Sequence, residues 1–467
     1  MTVSDAQARS IPVTEWAPLR ALVSWTLYDF ATQPYYTLVL TFLFAPYFAS
    51  HVAGDAALGQ TIWGYGAAAA SVLVAVGSPF VGAVADGTGH RKNWIALFSL
   101  ILVAGLATLW LAVPDAPAGT IALVIFAFVA ATAAAEFSSV VVNSMMPGLV
   151  PASALGRLSG IGWGVGYLGG LLSLALVAGL VVTNPATGKT LFGFAPIINL
   201  DPGLHEADRL VGPIAAVWFV VFVAPFFLFV PDAKPVGLRA SEVRASAARQ
   251  LWSTLRELPR QRDMLLFLAA RMIYADGLAA IFAFGGIYGT AVFGWSALEL
   301  GLFGIILTAT GMGGAVIGGF FDDRAGAKTV ILVSLVCLLI GALGILSVTK
   351  TTILFSIDVA PKEPGSTPFS SAGEQVFLAF AIVVGLVAAP VQAASRSLLA
   401  RLAPPDQMAR YFGLFAFSGK VTAFLAPFLV ATVTLVSGSQ RLGMAMIALF
   451  LIAGILLMLP VREPRHR

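Results

Sequence analysis

Charge is what this sequence has least of. Only 11% of its 467 residues are Asp, Glu, Lys or Arg, against 58% hydrophobic, under half the charged fraction of an ordinary soluble domain. So little charge cannot cover a water-exposed surface on a chain this long, which excludes soluble enzymes and nucleic-acid binders. Cysteine is nearly absent: Cys337 stands alone in an apolar run, so no disulfide framework exists. The four histidines, His51, His90, His205 and His466, fall in loops or tails without metal-ligand spacing. Neither a cofactor nor a catalytic constellation is expected. No short apolar segment with a small-residue cleavage site precedes the first long run, so no removable leader is expected.

What the chain does have is long apolar runs, each enough to cross a hydrocarbon core of ~30 Å. Twelve can be read, at about 22–49, 59–85, 93–113, 119–145, 156–183, 209–231, 263–291, 297–321, 329–349, 374–400, 408–437 and 441–461. With the amino terminus inside, 20 of the 27 basic residues fall in cytoplasmic segments. Five lie outside (Lys189, Arg209, Lys350, Lys362 and Arg441), and Arg271 and Lys420 lie within spans. The positive-inside rule therefore places both termini in the cytoplasm, with the plasma (inner) membrane as the expected location. The segment 232–262 holds Lys234, Arg239, Arg244, Arg249, Arg256, Arg260 and Arg262. It reads as a helix on the anionic inner leaflet rather than a nucleic-acid arm. It divides the chain into an amino-terminal six-helix bundle (1–231), a cytoplasmic linker (232–262) and a carboxy-terminal six-helix bundle (263–467).

Two motifs recur. Gly82, Asp86, Gly89 and Arg91 follow span 2, and Gly319, Asp323, Gly326 and Lys328 follow span 8, each pair 237 positions apart. Asn143, Pro151, Arg157 and Gly160 match Arg396, Pro404, Arg410 and Gly413, each 253 apart. Two registers differing by one longer loop are what a duplicated six-helix half leaves behind. Glycine at 82 and 319 lets helices approach closely, and glycine at 89 and 326 allows a turn with positive φ. Asp86 and Asp323 can accept hydrogen bonds from a neighbouring helix amino terminus and pair with arginine. Gly87 follows Asp86 where Arg324 follows Asp323, so the first loop is expected to latch more weakly than the second.

The Gly-x-x-x-Asp-x-x-Gly-x-Arg-Lys loop after span 2, echoed after span 8, resembles the signature loop of the major facilitator superfamily over nearly the whole chain. Trp25-Thr-Leu-Tyr28-Asp29-Phe-Ala31, Arg157-Leu-Ser159-Gly160, Tyr167-Leu-Gly-Gly170, Arg271-Met-Ile-Tyr274-Ala-Asp276-Gly277, Gln392-Ala-Ala-Ser395-Arg396-Ser397 and Ser418-Gly419-Lys420 resemble its vacuole-effluxer-like branch, named after an autophagy-related fungal exporter of amino acids. The resemblance implies an all-α membrane protein of twelve transmembrane helices in two pseudo-symmetric six-helix bundles. It also implies gating loops at Gly82, Asp86, Gly89, Arg91, Asp323, Arg324 and Gly326 that hold the cytoplasmic side closed, and efflux of an amino acid or related metabolite.

Five ionisable residues fall within the spans: Asp29, Glu136, Arg271, Asp276 and Lys420. Each costs roughly 2.5–3.5 kcal/mol at a helix centre, so each must face a cavity or a partner, the usual mark of a transport path. Trp25, Asp29, Gln33 and Tyr36 share one helical face, as do Thr132, Glu136, Ser139 and Asn143. Pro34 interrupts the first helix just past Asp29. Arg271 and Asp276 sit about 140° apart around their helix, so no salt bridge between them is expected. Lys420 is assigned to receive a substrate carboxylate or pair with one between cycles, and Glu136 or Asp29 to carry a proton. Tyr35, Tyr36, Trp163, Tyr167 and Tyr274 are candidate cavity aromatics. The substrate or proton path is thus Asp29, Gln33, Tyr36, Glu136, Asn143, Tyr167, Asp276 and Lys420.

Gly164-Val-Gly166-Tyr-Leu-Gly169 matches a dinucleotide fingerprint by letter, but inside a span it serves helix contact. Gly413 to Lys420 lacks the hydroxyl of a phosphate loop, since Val421 follows, so no ATP site is expected. The reading is a secondary transporter of a small polar solute, coupled to protons, in a lipid bilayer, with no nucleic-acid partner and no implied oligomer. The alternatives are a drug or sugar exporter of the same fold, or a lipid-handling or receptor membrane protein.

Overall fold

The computed structural model describes residues 15–182, 188–232, 249, 251–295, 297–363 and 367–464. The helices are α1 (Leu19–Pro34), α2 (Ala56–Thr88), α3 (Arg91–Thr108), α4 (Ala118–Met145), α5 (Leu155–Leu180), α6 (Glu206–Phe229), α7 (Arg262–Phe293), α8 (Ala297–Ala325), α9 (Ala327–Leu346), α10 (Ala372–Leu402), α11a (Met408–Ser418), α11b (Leu425–Ser437) and α12 (Gln440–Met458). Among the described residues ten helical segments are each long and apolar enough to cross a membrane. All twelve apolar runs are helical, but the first and the eleventh are broken. Of the basic linker residues, Lys234, Arg239 and Arg244 lie outside the described residues; 251–257 is helical.

The break in the first run has a local cause. Pro34 has no N–H for the Phe30 carbonyl, which instead accepts the indole N–H of Trp218 in α6 at 3.1 Å. Beyond Pro34 the chain continues as a π-helix, Tyr35–Phe42. The eleventh run, expected as one helix over 408–437, stops at Ser418 and resumes at Leu425. The Gly419–Phe424 connection that carries Lys420 is a run of turns, with the Lys420 N–H bonded to the Phe417 carbonyl three residues back.

Packing within each half repeats. In the first, α1 lies on α6, α2 on α4, and α3 on both α4 and α6; in the second, α7 lies on α12, α8 on α10, and α9 on both α10 and α12. Each contact of the second set is one of the first advanced by six helices, which defines two pseudo-symmetric bundles. Between the bundles α5 packs on α8 and α2 on α11a, contacts that the same pseudo-twofold exchanges. A Cβ at Gly82 would collide with the Ala409 carbonyl, and one at Gly160 with that of Ala315. The bundles thus touch backbone to backbone near the signature loops. Farther along, α11b packs on α12 and α7 of its own bundle. A two-residue antiparallel ladder, Thr352–Ile353 with Ile357–Asp358, interrupts the loop between α9 and α10.

Candidate functional site

Among the described residues three ion pairs cross between the bundles, Glu136–Lys420, Asp29–Arg396 and Arg157–Asp323, and the first two involve the path candidates. Lys420 Nζ, in the break of the eleventh helix, lies 3.1 Å from Glu136 Oε1 on α4. Both side chains keep partial exposure, 34% and 19%, so the pair is not sealed in the core. Arg396 on α10 lies 3.2 Å from Asp29 on α1. Its guanidinium also donates to Asn143 Oδ1 at 3.0 Å and to the Ser159 hydroxyl and carbonyl at 2.9 and 2.7 Å. It sits 5.0 Å from the Trp25 ring centre. Arg396 therefore ties together α1, α4 and α5 from the opposite bundle. Asn143 and Arg396, matched at 253 positions in the repeat, are in direct contact across the pseudo-twofold.

The count of cytoplasmic basic residues includes Arg396, but this residue falls inside the 374–400 run. It is buried, six residues before the end of α10.

Arg271 and Asp276 share α7 but not a role. Arg271 donates to the Phe415 carbonyl at 2.7 Å and the Ser418 hydroxyl at 3.1 Å, and covers the Phe415 ring at 3.4 Å. A cation over the last carbonyls of α11a complements the negative end of that helix, so Arg271 fixes the break from which Lys420 projects. Asp276 is 1% exposed, and among the described residues neither carboxylate oxygen has a hydrogen-bond partner. Of the three path carboxylates, Asp29 and Glu136 are matched by cations and Asp276 is not.

The signature loops meet the opposite bundle. Asp86 accepts the backbone N–H groups of Ala409 and Arg410 at 3.0 and 2.8 Å, and Arg91 at 3.2 Å. Asp323 accepts the backbone N–H of Arg157 at 3.2 Å and its Nε at 2.9 Å. Arg157 and Arg410 are repeat mates, so each loop carboxylate grips the helix amino terminus that the other half's duplicate predicts. Gly89 and Gly326 turn the chain with φ of +70° and +91°.

Lys92, rather than Arg91, is the functional counterpart of Lys328. Lys92 Nζ donates to the Phe227 carbonyl and Lys328 Nζ to that of Leu459; Asp232 and Glu463 accept the respective backbone N–H groups. Arg324 is exposed and forms no hydrogen bond or ion pair among those described. The second loop instead carries Asp322, buried against Ser397 and, at 2.5 Å, Arg401. Arg401 also lies 2.7 Å from Glu463.

The remaining candidates make most of their contacts within their own bundle. A Cβ at Gly170 of α5 would press on Gln33, and Tyr167 lies beside Gly311 of α8. Tyr36 stacks edge-on with Tyr35, whose hydroxyl is 2.5 Å from that of Thr132. Tyr274 hydrogen-bonds Ser395 at 2.6 Å, and Trp163 packs near Tyr167. The fingerprint-like glycines serve contact: Gly164 faces Val316 and Gly169 the Phe30 backbone.

Comparison with known proteins agrees with this fold. Residues 59–467 match the family described as vacuole effluxer Atg22 like. An uncharacterized MFS-type transporter, YxiO of Bacillus subtilis, is 24% identical over 94% of both chains. Autophagy-related protein 22-1 of Aspergillus fumigatus is 25% identical over 67% of this chain and 49% of its own. The chain thus spans about half the length of that fungal relative. The proton:xylose symporter XylE shares the fold with a TM-score of 0.68 at 13% identity, over 95% of both chains. The transporter FucP in its outward conformation does so at 0.66 and 13%, over 95% of this chain and 99% of its own.

Proposed function

The chain belongs to the vacuole effluxer Atg22-like family of the major facilitator superfamily, and on that premise we propose that it exports a small zwitterionic solute of the amino-acid class by alternating access, coupled to protons. It is a membrane transporter and not an enzyme. The observation that carries them is the Glu136–Lys420 pair, which bridges α4 and the broken eleventh helix at 3.1 Å while both ends stay partly wetted. A solute bearing a carboxylate and an ammonium can replace each partner with its own opposite charge. That exchange satisfies both groups without stranding a charge in a region of low dielectric. Gln33, Tyr36 and Tyr167 are assigned to the walls of the same path.

The proton is assigned to Asp276 rather than to Asp29 or Glu136. A buried carboxylate without a cation is tolerated when it holds a proton, whereas the other two have cationic partners. The signature-loop face is assigned to the cytoplasm, in keeping with the basic-residue count, and the plasma membrane to the location. The domain division at 232–262 follows the same reading.

Reconstituted vesicles test this. Lys420→Ala and Glu136→Gln are each expected to lower amino-acid flux at least tenfold, and wild-type flux from both removes the pair from the mechanism. Asp276→Asn is expected to abolish the response of flux to a pH gradient while solute exchange persists. Wild-type flux that ignores a pH gradient overturns proton coupling. Thermal stabilisation of the purified protein by a lipid alone, with no response to any soluble metabolite, overturns the solute reading.

A further inference from the structure

Beside the second signature loop lies a cavity of about 640 Å³, framed by the end of α8, the start of α9, the segment after α12, and Ala152 and Ser153 from the opposite bundle. Its volume is that of a small-molecule site. No part of the transport path lies in it.

The cavity's hydrogen-bonding capacity is lopsided. Each lining carboxylate is already engaged: Asp322 by Ser397 and Arg401, Asp323 by Arg157, and Glu463 by Arg401 and two backbone N–H groups of α9. The amino terminus of α9 is therefore also occupied. The donors are not used up. Arg324 and Arg462 line the cavity, are exposed, and make no side-chain hydrogen bond or ion pair among those described. Lys328 commits one N–H to the Leu459 carbonyl and retains two.

We propose that this cavity binds a phosphate-bearing anion, with Arg324 and Arg462 as forked ligands and Lys328 as a point charge. Guanidinium forks match phosphate oxygens in pairs, and an acceptor-rich ligand supplies what the lining lacks. Both bundles contribute walls while the signature loops are engaged, so an anion bound here stabilises the state closed on that face. By linkage, opening the face must weaken the anion. The source is a free phosphate group or a lipid headgroup at the membrane surface.

Thermal unfolding of the full chain in neutral detergent distinguishes these without any transport assay, so failure here is separable from failure of the proposed transport. Inorganic phosphate and dioctanoyl phosphatidic acid are titrated separately. The midpoint is expected to rise with at least one of them. Arg324→Gln/Arg462→Gln is expected to raise the half-saturating concentration at least tenfold, and Lys350→Gln, in the loop between α9 and α10, to leave it unchanged. A response to both ligands means that the phosphate group suffices; a response to phosphatidic acid alone assigns the lipid. No response, or an equal response in the double variant, overturns the site. If the double variant fails to fold, Arg462→Lys keeps the charge, removes the fork and is expected to weaken binding several-fold; unchanged binding overturns the assignment.

Discussion

The two signature loops do the same thing with different chemistry. Asp86 and Asp323 each accept a backbone N–H at the start of a helix in the opposite bundle, α11a for one and α5 for the other. Around that shared anchor the halves diverge. Asp322 and Arg401 of the second half correspond in the repeat to Ala85 and Gly148 of the first. The second loop is therefore embedded in a buried network of Asp322, Asp323, Arg401 and Glu463, and the first rests on its backbone hydrogen bonds and Arg91. Duplication preserved the backbone geometry of the latch, and the charge that supports it was left to each half.

The largest effect should come from breaking the network. Arg401→Ala leaves Asp322 and Glu463 buried without their cation, a loss of about 3–5 kcal/mol for a broken buried pair. It should appear as a sharply lower unfolding midpoint and poor recovery of folded protein. A wild-type midpoint would mean that the network does not distinguish the second loop from the first.

Next come the anchors. Asp86→Ala and Asp323→Ala each remove charge-assisted hydrogen bonds worth about 1.5–3 kcal/mol, a shift of roughly ten- to a hundredfold toward the state open on the loop face. Spin labels on the loop-face ends of α2 and α11a, and of α5 and α8, should record larger separations in both variants. Asp323→Ala should also destabilise the fold more, because Arg401 and Arg157 lose a common partner. Equal unfolding midpoints would erase the asymmetry.

The smallest effect belongs to Arg324→Gln. An exposed side chain without partners contributes within about 0.5 kcal/mol, so the ligand-free unfolding midpoint should stay at the wild-type value. A loss above that would return the difference between the loops to Arg324, where the sequence alone first placed it.

Much of this site is legible before any coordinates. Asp29, Glu136 and Lys420 stand out because ionisable groups are rare in apolar runs, and Asp86 and Asp323 because they repeat. Arg396 was harder to see: it lies near the end of a run, where position alone does not separate a loop cation from a buried one. Asp322 was hidden because it has no counterpart in the first half, and repeats reveal only what both copies keep. The break at Gly419–Phe424 lies just ahead of Pro427, which has no N–H for the Ala423 carbonyl, but a proline alone does not say whether a helix kinks or stops. The break is sustained by contacts from another helix, Arg271 on the Phe415 carbonyl and Ser418 hydroxyl.

The sequence by itself determined the membrane environment, the twelve apolar runs and the twofold repeat. Each follows from composition and spacing, which act locally and survive reading in one dimension. The tertiary structure alone decided which charges pair: Asp29 with Arg396, Glu136 with Lys420, and Asp276 in no ion pair among the described residues. Such pairs join residues hundreds of positions apart, and only the folded chain, by excluding water around them, forces each charge to find a partner or do without one.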